Sequence, residues 1–285
     1  MPRVAIVTDS TADIPIKLMQ KYPIFVAPQH VIWGEETFRA GIEINNLEFY
    51  QRLKRDATPP TTSQPSVGVF KNLYTRLLEE GHEIVSVHIS SKLSGTIDSA
   101  QQAKDLLAGA PIEILDSQTA SMALGLQVLN VARAVRQGAN LSECKIIFEQ
   151  SVSLAGVYFM VDTLEYLHRG GRIGGAAAFL GTLMDLKPML TVEDGIIAAV
   201  EKVRSSKKAQ QRLLDMVEKQ VGTTRPVQVS ALHTNAPDIA RALLEQAKHR
   251  LNISKTVEPM ITDATPVIGA HTGPGCVGLA FMSEL

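Results

Sequence analysis

Hydrophobic and polar positions in the first half of the chain form short strand-like runs that alternate with longer helical runs. Apolar, β-branched runs occupy residues 4–8, 84–89 and 112–115, and each is followed by a polar turn and a helical pattern. This alternation is typical of βαβ units, whose strands lie parallel in one sheet. The pattern therefore predicts a doubly wound α/β/α domain with a parallel sheet.

Two further segments of the first half have a clear pattern. Residues 67–80 place apolar side chains at helical spacing and charged side chains on the other face, and Gly81 follows as a stop, so a helix is predicted there. Residues 31–40 contain a glycine turn between two strand-like runs, which predicts a small hairpin beside the parallel sheet.

The pattern changes from residue 156 onward. A strand-like GVYFMV run precedes a glycine-rich stretch, and Asp194 and Gly195 then separate two alternating runs, as in a β-hairpin. A long helix after Arg204, a strand at 227–232, a helix at 237–250 and a terminal strand at 278–282 complete the prediction. We expect an N-terminal α/β domain over residues 1–155 and a two-layer α/β domain with a mixed sheet over residues 156–285.

Composition narrows the class of protein. The 285 residues are 45% hydrophobic and 20% charged, with a net charge of -1, which favours a folded globular protein and argues against a nucleic-acid partner. Cys144 and Cys276 lie in no C-x-x-C pair or metal-ligand cluster, so neither a disulfide nor a metal is expected. Without a signal-peptide pattern or a membrane-length apolar run, a reducing cytoplasm is the expected location.

Four polar turns carry the candidate chemistry, at residues 9–11, 61–66, 90–96 and 116–119. Turns that follow parallel strands meet at one edge of the sheet, where ligands bind. Hydroxyl groups and free backbone N–H groups at helix starts favour an anion. Any single turn is better explained by ordinary helix capping, but four together weaken that explanation and favour an anion-binding site.

Several familiar sites are disfavoured. The chain has no G-x-x-x-x-G-K-[ST] motif and no G-x-G-x-x-G directly after a strand, which argues against a nucleotide phosphate. A serine hydrolase using Ser94 and His271 would lack the G-x-S-x-G elbow. His271 lies among glycines and a proline at 269–275, which predicts a ligand-facing loop, with a purely structural histidine as the alternative.

Six motifs occur in a fixed order: VTDSTADIP (7–15), TSQPS (62–66), SSKLSGT (90–96), DTLEYLHRGGRI (162–173), KVRS (202–205) and HTGPG (271–275). With them the chain resembles the DegV family over nearly its whole length. Members of that family carry a fatty acid, and in some bacteria present it to a separate fatty-acid kinase. The resemblance implies a carrier with no catalytic site of its own and no cofactor, holding a long-chain, palmitate-like fatty acid.

The resemblance also implies which residues bind the ligand. Thr62 and Ser94 are expected to hydrogen-bond the carboxylate, with His271 nearby. The full predicted ligand-binding set is Thr62, Ser63, Ser94, Gly95, Thr96 and His271.

Arg172 and Arg204 are expected, by the same resemblance, on the surface that meets the kinase, with two solvated or ion-paired arginines as the alternative. A monomer that can touch a membrane transiently is expected. Ile97 and the Ser205-Ser206 pair depart from the family pattern, which bears on pocket shape and partner docking.

Apolar residues around the glycine run could line an acyl tunnel or simply form core. They are Met160, Ala176, Ala177, Ala178, Phe179, Leu180, Leu183, Met184, Leu186 and Met189. The alternative function is an enzyme subunit for small-molecule phosphoryl transfer or acyl processing, because the family's fold looks related to that of dihydroxyacetone kinase subunits.

Overall fold

The computed structural model describes residues 3–181 and 186–284. Within these ranges the strands are Arg3–Asp9 (β1), Ile24–Ala27 (β2), His30–Trp33 (β3), Glu36–Arg39 (β4), Thr61–Ser63 (β5), His82–His88 (β6), Ile112–Asp116 (β7), Ala155–Met160 (β8), Lys187–Glu193 (β9), Ile196–Val203 (β10), Val227–His233 (β11), Met260–Asp263 (β12) and Val277–Ser283 (β13). The helices are Ile16–Lys21 (α1), Asn46–Arg55 (α2), Val67–Glu79 (α3), Thr96–Asp105 (α4), Ser121–Arg136 (α5), Leu141–Val152 (α6), Glu165–Arg169 (α7), Ser206–Val221 (α8), Pro237–Arg250 (α9) and Pro266–Thr272 (α10). Ser10–Ala12 and Gly174–Phe179 form short 3-10 helices.

The parallel sheet has the strand order β2-β1-β6-β7. In β1, every residue from Val4 to Asp9 is buried, because helices cover both faces of the sheet. Helices α3 and α4 pack on the face that carries Ala5 and Val7, while α5 and α6 pack on the face that carries Val4 and Ile6. The predicted α/β/α arrangement is confirmed.

A three-stranded antiparallel sheet, with the order β4-β3-β5, lies beside it. The predicted hairpin within residues 31–40 is confirmed as β3 and β4. The third strand was predicted as part of a polar turn, and it pairs Thr62 with Val31. Thr62 is therefore fixed by a β-ladder rather than by a free loop.

The mixed sheet has the order β10-β9-β8-β13-β11-β12, in which β11 and β12 are parallel and the other described neighbours are antiparallel. The hairpin at Asp194 and Gly195, the strand at 227–232 and the helix at 237–250 are confirmed. Since side chains alternate along each strand, the sheet has two different faces. Helices α8 and α9 cover one face, where Val229 and Leu279 lie in their shared core.

Helix α5 lies between the two large sheets. It contacts β1 and β6 of the parallel sheet and β8, β11 and β13 of the mixed sheet. Its side chains are buried nearly all round, as expected for a helix packed on several sides. The division into domains 1–155 and 156–285 stays a prediction, and α5 is the element through which the two parts share a core.

Other predictions concern membranes, metals and thiols. Over the described ranges, no helix is long and apolar enough to cross a membrane. The same residues include no group of three or more His, Cys, Asp or Glu side chains placed to hold a metal ion. Cys144 and Cys276 are both buried and free.

Candidate ligand-binding cavity

A cavity at the carboxyl edge of the parallel sheet encloses about 810 Å³ between protein atoms, including its open end. Its apolar lining is Ile89, Leu93, Ala120, Val157, Phe159, Leu167, Val192, Ile197, Leu232, Val267, Ile268 and Cys276. Its polar lining is Gln29, Thr62, Ser63, Gln64, Ser94, Ser121, Arg172, His271 and Thr272. A mostly apolar lining that also contains polar groups is typical of a site for an amphiphilic small molecule.

The predicted polar turns do meet at this edge. The backbone N–H of Ser90 donates to the carbonyl of Thr119 at 2.9 Å, and the Ser91 hydroxyl donates to Asp116 at 2.6 Å. The Ser90 hydroxyl donates across to the carbonyl of Gly195 at 2.7 Å, in the β9–β10 hairpin. The edge of the parallel sheet is thereby joined to the mixed sheet beside the cavity.

Thr62 and His271 form one polar pair of the lining. The Thr62 hydroxyl lies 2.8 Å from Nε2 of His271, although the two residues are 209 positions apart in the chain. Burial, together with the nearby charge of Arg172, lowers the pKa of His271 to about 4. The imidazole is therefore neutral at neutral pH.

The backbone at Gly170 covers the other nitrogen of His271. A Cβ at Gly170 would lie 2.2 Å from Nδ1, so this position has no room for a side chain. Nδ1 is buried and has no hydrogen-bond partner among the described residues. Because a bare acceptor is less costly to bury than an unpaired N–H, we assign the proton to Nε2. Nε2 then donates to Thr62, whose own hydroxyl proton is free to point into the cavity.

The prediction that His271 lies in a loop is wrong. His271 is in the last turn of α10, which begins at Pro266 and is followed by Gly273 with a φ of 71°. Proline at the first helical position and glycine just after the last one are favourable helix boundaries. The glycine and proline content of this segment therefore delimits a short helix, and α10 also contributes Val267 and Ile268 to the cavity wall.

Ser94 and Thr96 form a second polar pair, with their hydroxyl oxygens 2.8 Å apart. Ser94 lines the cavity, whereas Thr96 is fully buried behind it. Neither hydroxyl caps α4, whose N-terminal cap is Gly95 and lacks a side-chain hydrogen bond. Ordinary capping does apply to Ser66, which accepts from the N–H of Val69 at the start of α3.

Two more residues of the predicted set adjoin this pair. Ser63 lines the cavity in β5. Gly95 packs so closely on Gln64 that a Cβ there would lie 2.9 Å from the amide nitrogen. The structure thus places the predicted ligand-binding residues at the cavity, either in its lining or in contact with lining residues.

The two predicted partner-binding arginines have different environments. Arg172 is half-buried and lines the cavity, and its guanidinium donates to the carbonyls of Leu93 at 3.0 Å and Gly170 at 2.7 Å. Arg204 is exposed between β10 and α8. A partner surface at these residues stays a prediction, and Arg172 also belongs to the polar end of the cavity.

The sequence contains no signal for Gln29 and leaves open whether the apolar residues around the glycine run line a tunnel or form core. Gln29 sits between β2 and β3, where nothing in the pattern marks a binding residue. Met160 and Met189 lie in the core under α8 and α9, because they alternate with Phe159 and Leu190 on the opposite face. Residues 176–180 and Leu186 are absent from the described lining, and Leu183 and Met184 lie outside the described residues.

The hydrolase alternative requires His271 to activate Ser94. In the structure His271 bonds Thr62, and the Ser94 hydroxyl bonds Thr96. A histidine whose pKa is about 4 is also a weak general base at neutral pH. The geometry therefore gives no support to a Ser–His catalytic pair.

Known proteins are similar to this chain in sequence and in fold. Residues 3–284 match the family described as "Uncharacterised protein, DegV family". A DegV domain-containing protein of Halalkalibacterium halodurans is 35% identical over 285 residues, with 100% of each chain covered. A structure described as showing fatty acid binding by a DegV family protein from Thermus thermophilus has 35% identity and a TM-score of 0.93, and covers 99% of this chain and 100% of that one. The crystal structure of DegV, a fatty acid binding protein from Bacillus subtilis, has 31% identity and a TM-score of 0.88, with 100% of both chains covered. This chain belongs to the DegV family.

Proposed function

We propose that this protein binds one long-chain, palmitate-like fatty acid in the cavity and presents its carboxylate to a separate fatty-acid kinase, with no catalytic site of its own. The observation that carries the proposal is a cavity with a mostly apolar lining that also contains the hydroxyl-bearing residues Thr62 and Ser94. Fatty-acid binding by the Thermus and Bacillus relatives supports it.

The polar end has the right hydrogen-bonding character for a carboxylate. An ionised carboxylate only accepts hydrogen bonds, so its partners must be donors. The neutral His271 leaves the Thr62 hydroxyl as such a donor, 2.8 Å from Nε2. The positive charge of Arg172, in the same lining, favours an anion over a neutral head group.

The apolar walls supply most of the affinity in this proposal. About 14 methylenes of a sixteen-carbon acid, at about 0.8 kcal/mol each, give about 11 kcal/mol of gross transfer free energy. A hydrogen bond to a charged group adds only about 1.5 to 3 kcal/mol. Thr62 and Ser94 therefore orient the head group and prevent its burial without partners.

Presentation to a kinase is the finer part of the proposal. Arg204 is exposed and Arg172 lies at the cavity, so a partner that reaches both would also reach the carboxylate end. Arg204→Ala should leave lipid binding intact and lower phosphorylation of the bound acid by an added kinase subunit. Arg225→Ala, at another exposed arginine, is the matched control and should leave phosphorylation unchanged.

The test of lipid binding is mass spectrometry of the denatured protein after purification. A long-chain saturated or monounsaturated acid should be released from the wild type, as fatty-acid binding by the relatives leads us to expect. Ser94→Ala should retain less acid while the lipid-free protein keeps its thermal stability. Repeated absence of acid after growth with added lipid would contradict the proposal.

Ser66→Ala is the matched control for Ser94→Ala. It removes a hydroxyl from a neighbouring polar turn that caps α3 and lies outside the described cavity lining. We expect Ser66→Ala to destabilise the protein by about 1 kcal/mol and to retain its lipid. If Ser94→Ala instead behaves like Ser66→Ala, its hydroxyl is structural.

A further inference from the structure

A chain of hydrogen bonds runs from the buried core of the parallel sheet to Ser94. The amide nitrogen of Gln29 lies 3.1 Å from Oδ1 of Asp9 and 3.3 Å from the hydroxyl of Thr96. The Thr96 hydroxyl lies 2.8 Å from that of Ser94. Asp9 and Thr96 are fully buried and Gln29 is 3% exposed, so bulk water does not compete for these bonds.

Asp9, at the inner end of this chain, is held as an ionised acceptor. Burial alone would raise its pKa, but the hydrogen bond and charge of His88, followed by bonds from Thr11 and Ile89, lower it below its ordinary value. Nδ1 of His88 and the N–H of Ile89 each lie 3.1 Å from Oδ2. A fixed carboxylate of this kind can only accept hydrogen bonds.

The ionised Asp9 sets the direction of every bond that follows. It requires the amide nitrogen of Gln29, rather than the amide oxygen, to face it, and that nitrogen can only donate. Thr96 must then accept from Gln29. The buried Thr96 proton also needs an acceptor, and Ser94 is the other hydrogen-bond partner of Thr96 among the described residues, so we assign this proton to the Ser94 oxygen. Ser94 already accepts one bond, and its own proton is left to point into the cavity.

We propose that Gln29 and Thr96 are positioning residues that make Ser94 a dedicated hydrogen-bond donor and thereby favour a carboxylate over an uncharged head group. This inference rests on the proposed fatty-acid binding. A carboxylate gains from a donor that is already oriented and polarised by the bonds behind it. An alcohol head group is both donor and acceptor, so it gains little from a fixed orientation of Ser94.

The test compares hexadecanoate with hexadecan-1-ol on lipid-free full-length protein. Thr96→Val keeps the side-chain shape and removes the hydroxyl, so Ser94 loses the incoming bond that orients and polarises its own O–H towards the cavity. We expect affinity for hexadecanoate to fall about tenfold, while affinity for hexadecan-1-ol changes by less than about twofold. Thr96→Ser restores the hydroxyl and should restore the preference for the acid.

Thr8→Val is the matched control. Thr8 is fully buried, and its hydroxyl has no hydrogen-bond partner among the described residues. Its removal should leave the affinity ratio of acid to alcohol unchanged. If Thr96→Val lowers the affinities for both ligands equally, or leaves both unchanged, the inference is wrong.

Gln29→Met keeps the test decisive if Thr96→Val does not fold. It removes the donor and approximates the side-chain length, and the same fall in the acid-to-alcohol ratio is expected. An unchanged ratio in folded Gln29→Met overturns the inference. Wild-type protein that binds no hexadecanoate refutes the proposed function and this inference together, whereas normal wild-type binding with unchanged ratios in the variants refutes this inference alone.

Discussion

The two faces of the mixed sheet are built from the same strands and pack in opposite ways. On one face, Met160 and Leu279 lie in a core closed by α8 and α9. On the other face, Val157, Phe159 and Val192 line the cavity. Because side chains alternate along each strand, consecutive residues of β8 belong to these two environments. The sheet thus combines a filled core with an open wall that is free to contact a ligand.

The closed face should respond most strongly to truncation. Leu279 is fully buried beneath α8 and α9, so Leu279→Ala leaves a cavity that rigid neighbours cannot fill. We expect a loss of about 2 to 5 kcal/mol in the free energy of unfolding, measured by denaturant titration of the lipid-free protein. Val192→Ala on the open face should lower the free energy of unfolding by less than about 1 kcal/mol. Equal losses at the two positions would show that the two faces are packed equally tightly.

The helix that bounds the open face depends on a buried carboxyl group. Asp13 accepts hydrogen bonds from the N–H of Thr265, just before α10, at 2.9 Å and from the Ser121 hydroxyl of α5 at 2.6 Å. Burial raises the pKa of Asp13 to about 7. Since the folded pKa lies above the unfolded value, this group's stabilisation is complete below about pH 4 and is lost as the pH rises through 7.

Asp13→Asn should therefore flatten the pH dependence of stability between about pH 4 and 8. The pKa shift of Asp13 limits the change in unfolding free energy that is lost in the variant to about 4 kcal/mol. Asparagine also tolerates the left-handed backbone at this position, where φ is 53°. Unfolding free energies of both proteins across this pH range provide the measurement. Parallel pH profiles for wild type and variant would show that the pKa of Asp13 does not change on folding, against this prediction.

Filling the open face should alter binding more than stability. Val192 is half-buried in the cavity wall, so Val192→Phe places a ring in space that the proposed acyl chain would occupy. We expect about tenfold weaker binding of a sixteen-carbon acid, a smaller change for a twelve-carbon acid, and unfolding free energy within about 1 kcal/mol of wild type. Displacement of a fluorescent fatty acid measures both affinities, and equal losses for the two acids would argue against an acyl chain along this wall.

Local patterns predicted the elements of the fold well. The helix at 237–250 and the hairpin at Asp194 and Gly195 follow directly from helical spacing and turn chemistry. The polar turns also meet as expected, because parallel strands end at a common edge. The helix, the hairpin and the turns are determined by residues that are close together in the sequence, so the sequence alone predicts them.

The features that the sequence left open, missed or misassigned depend on neighbours in space. The sequence around Met160 does not indicate which face of the mixed sheet α8 and α9 will cover. Because side chains alternate between the faces, moving by one residue along the strand exchanges core and cavity positions. Gln29 acquires its role only where Asp9 and Thr96 approach it from distant parts of the chain. The glycines and proline at 269–275 predict a loop, but Gly273 and Pro274 directly follow the end of a short helix.

The position of α5 between the sheets has a consequence for fragments of this protein. A chain ending at residue 155 would retain α5 but lose β8, β11 and β13, which contact it in the intact protein. The exposed apolar side of α5 would then favour aggregation of the isolated fragment. Co-expression with residues 156–285 should instead allow the two fragments to reassociate around α5, as complementing halves of one hydrophobic core.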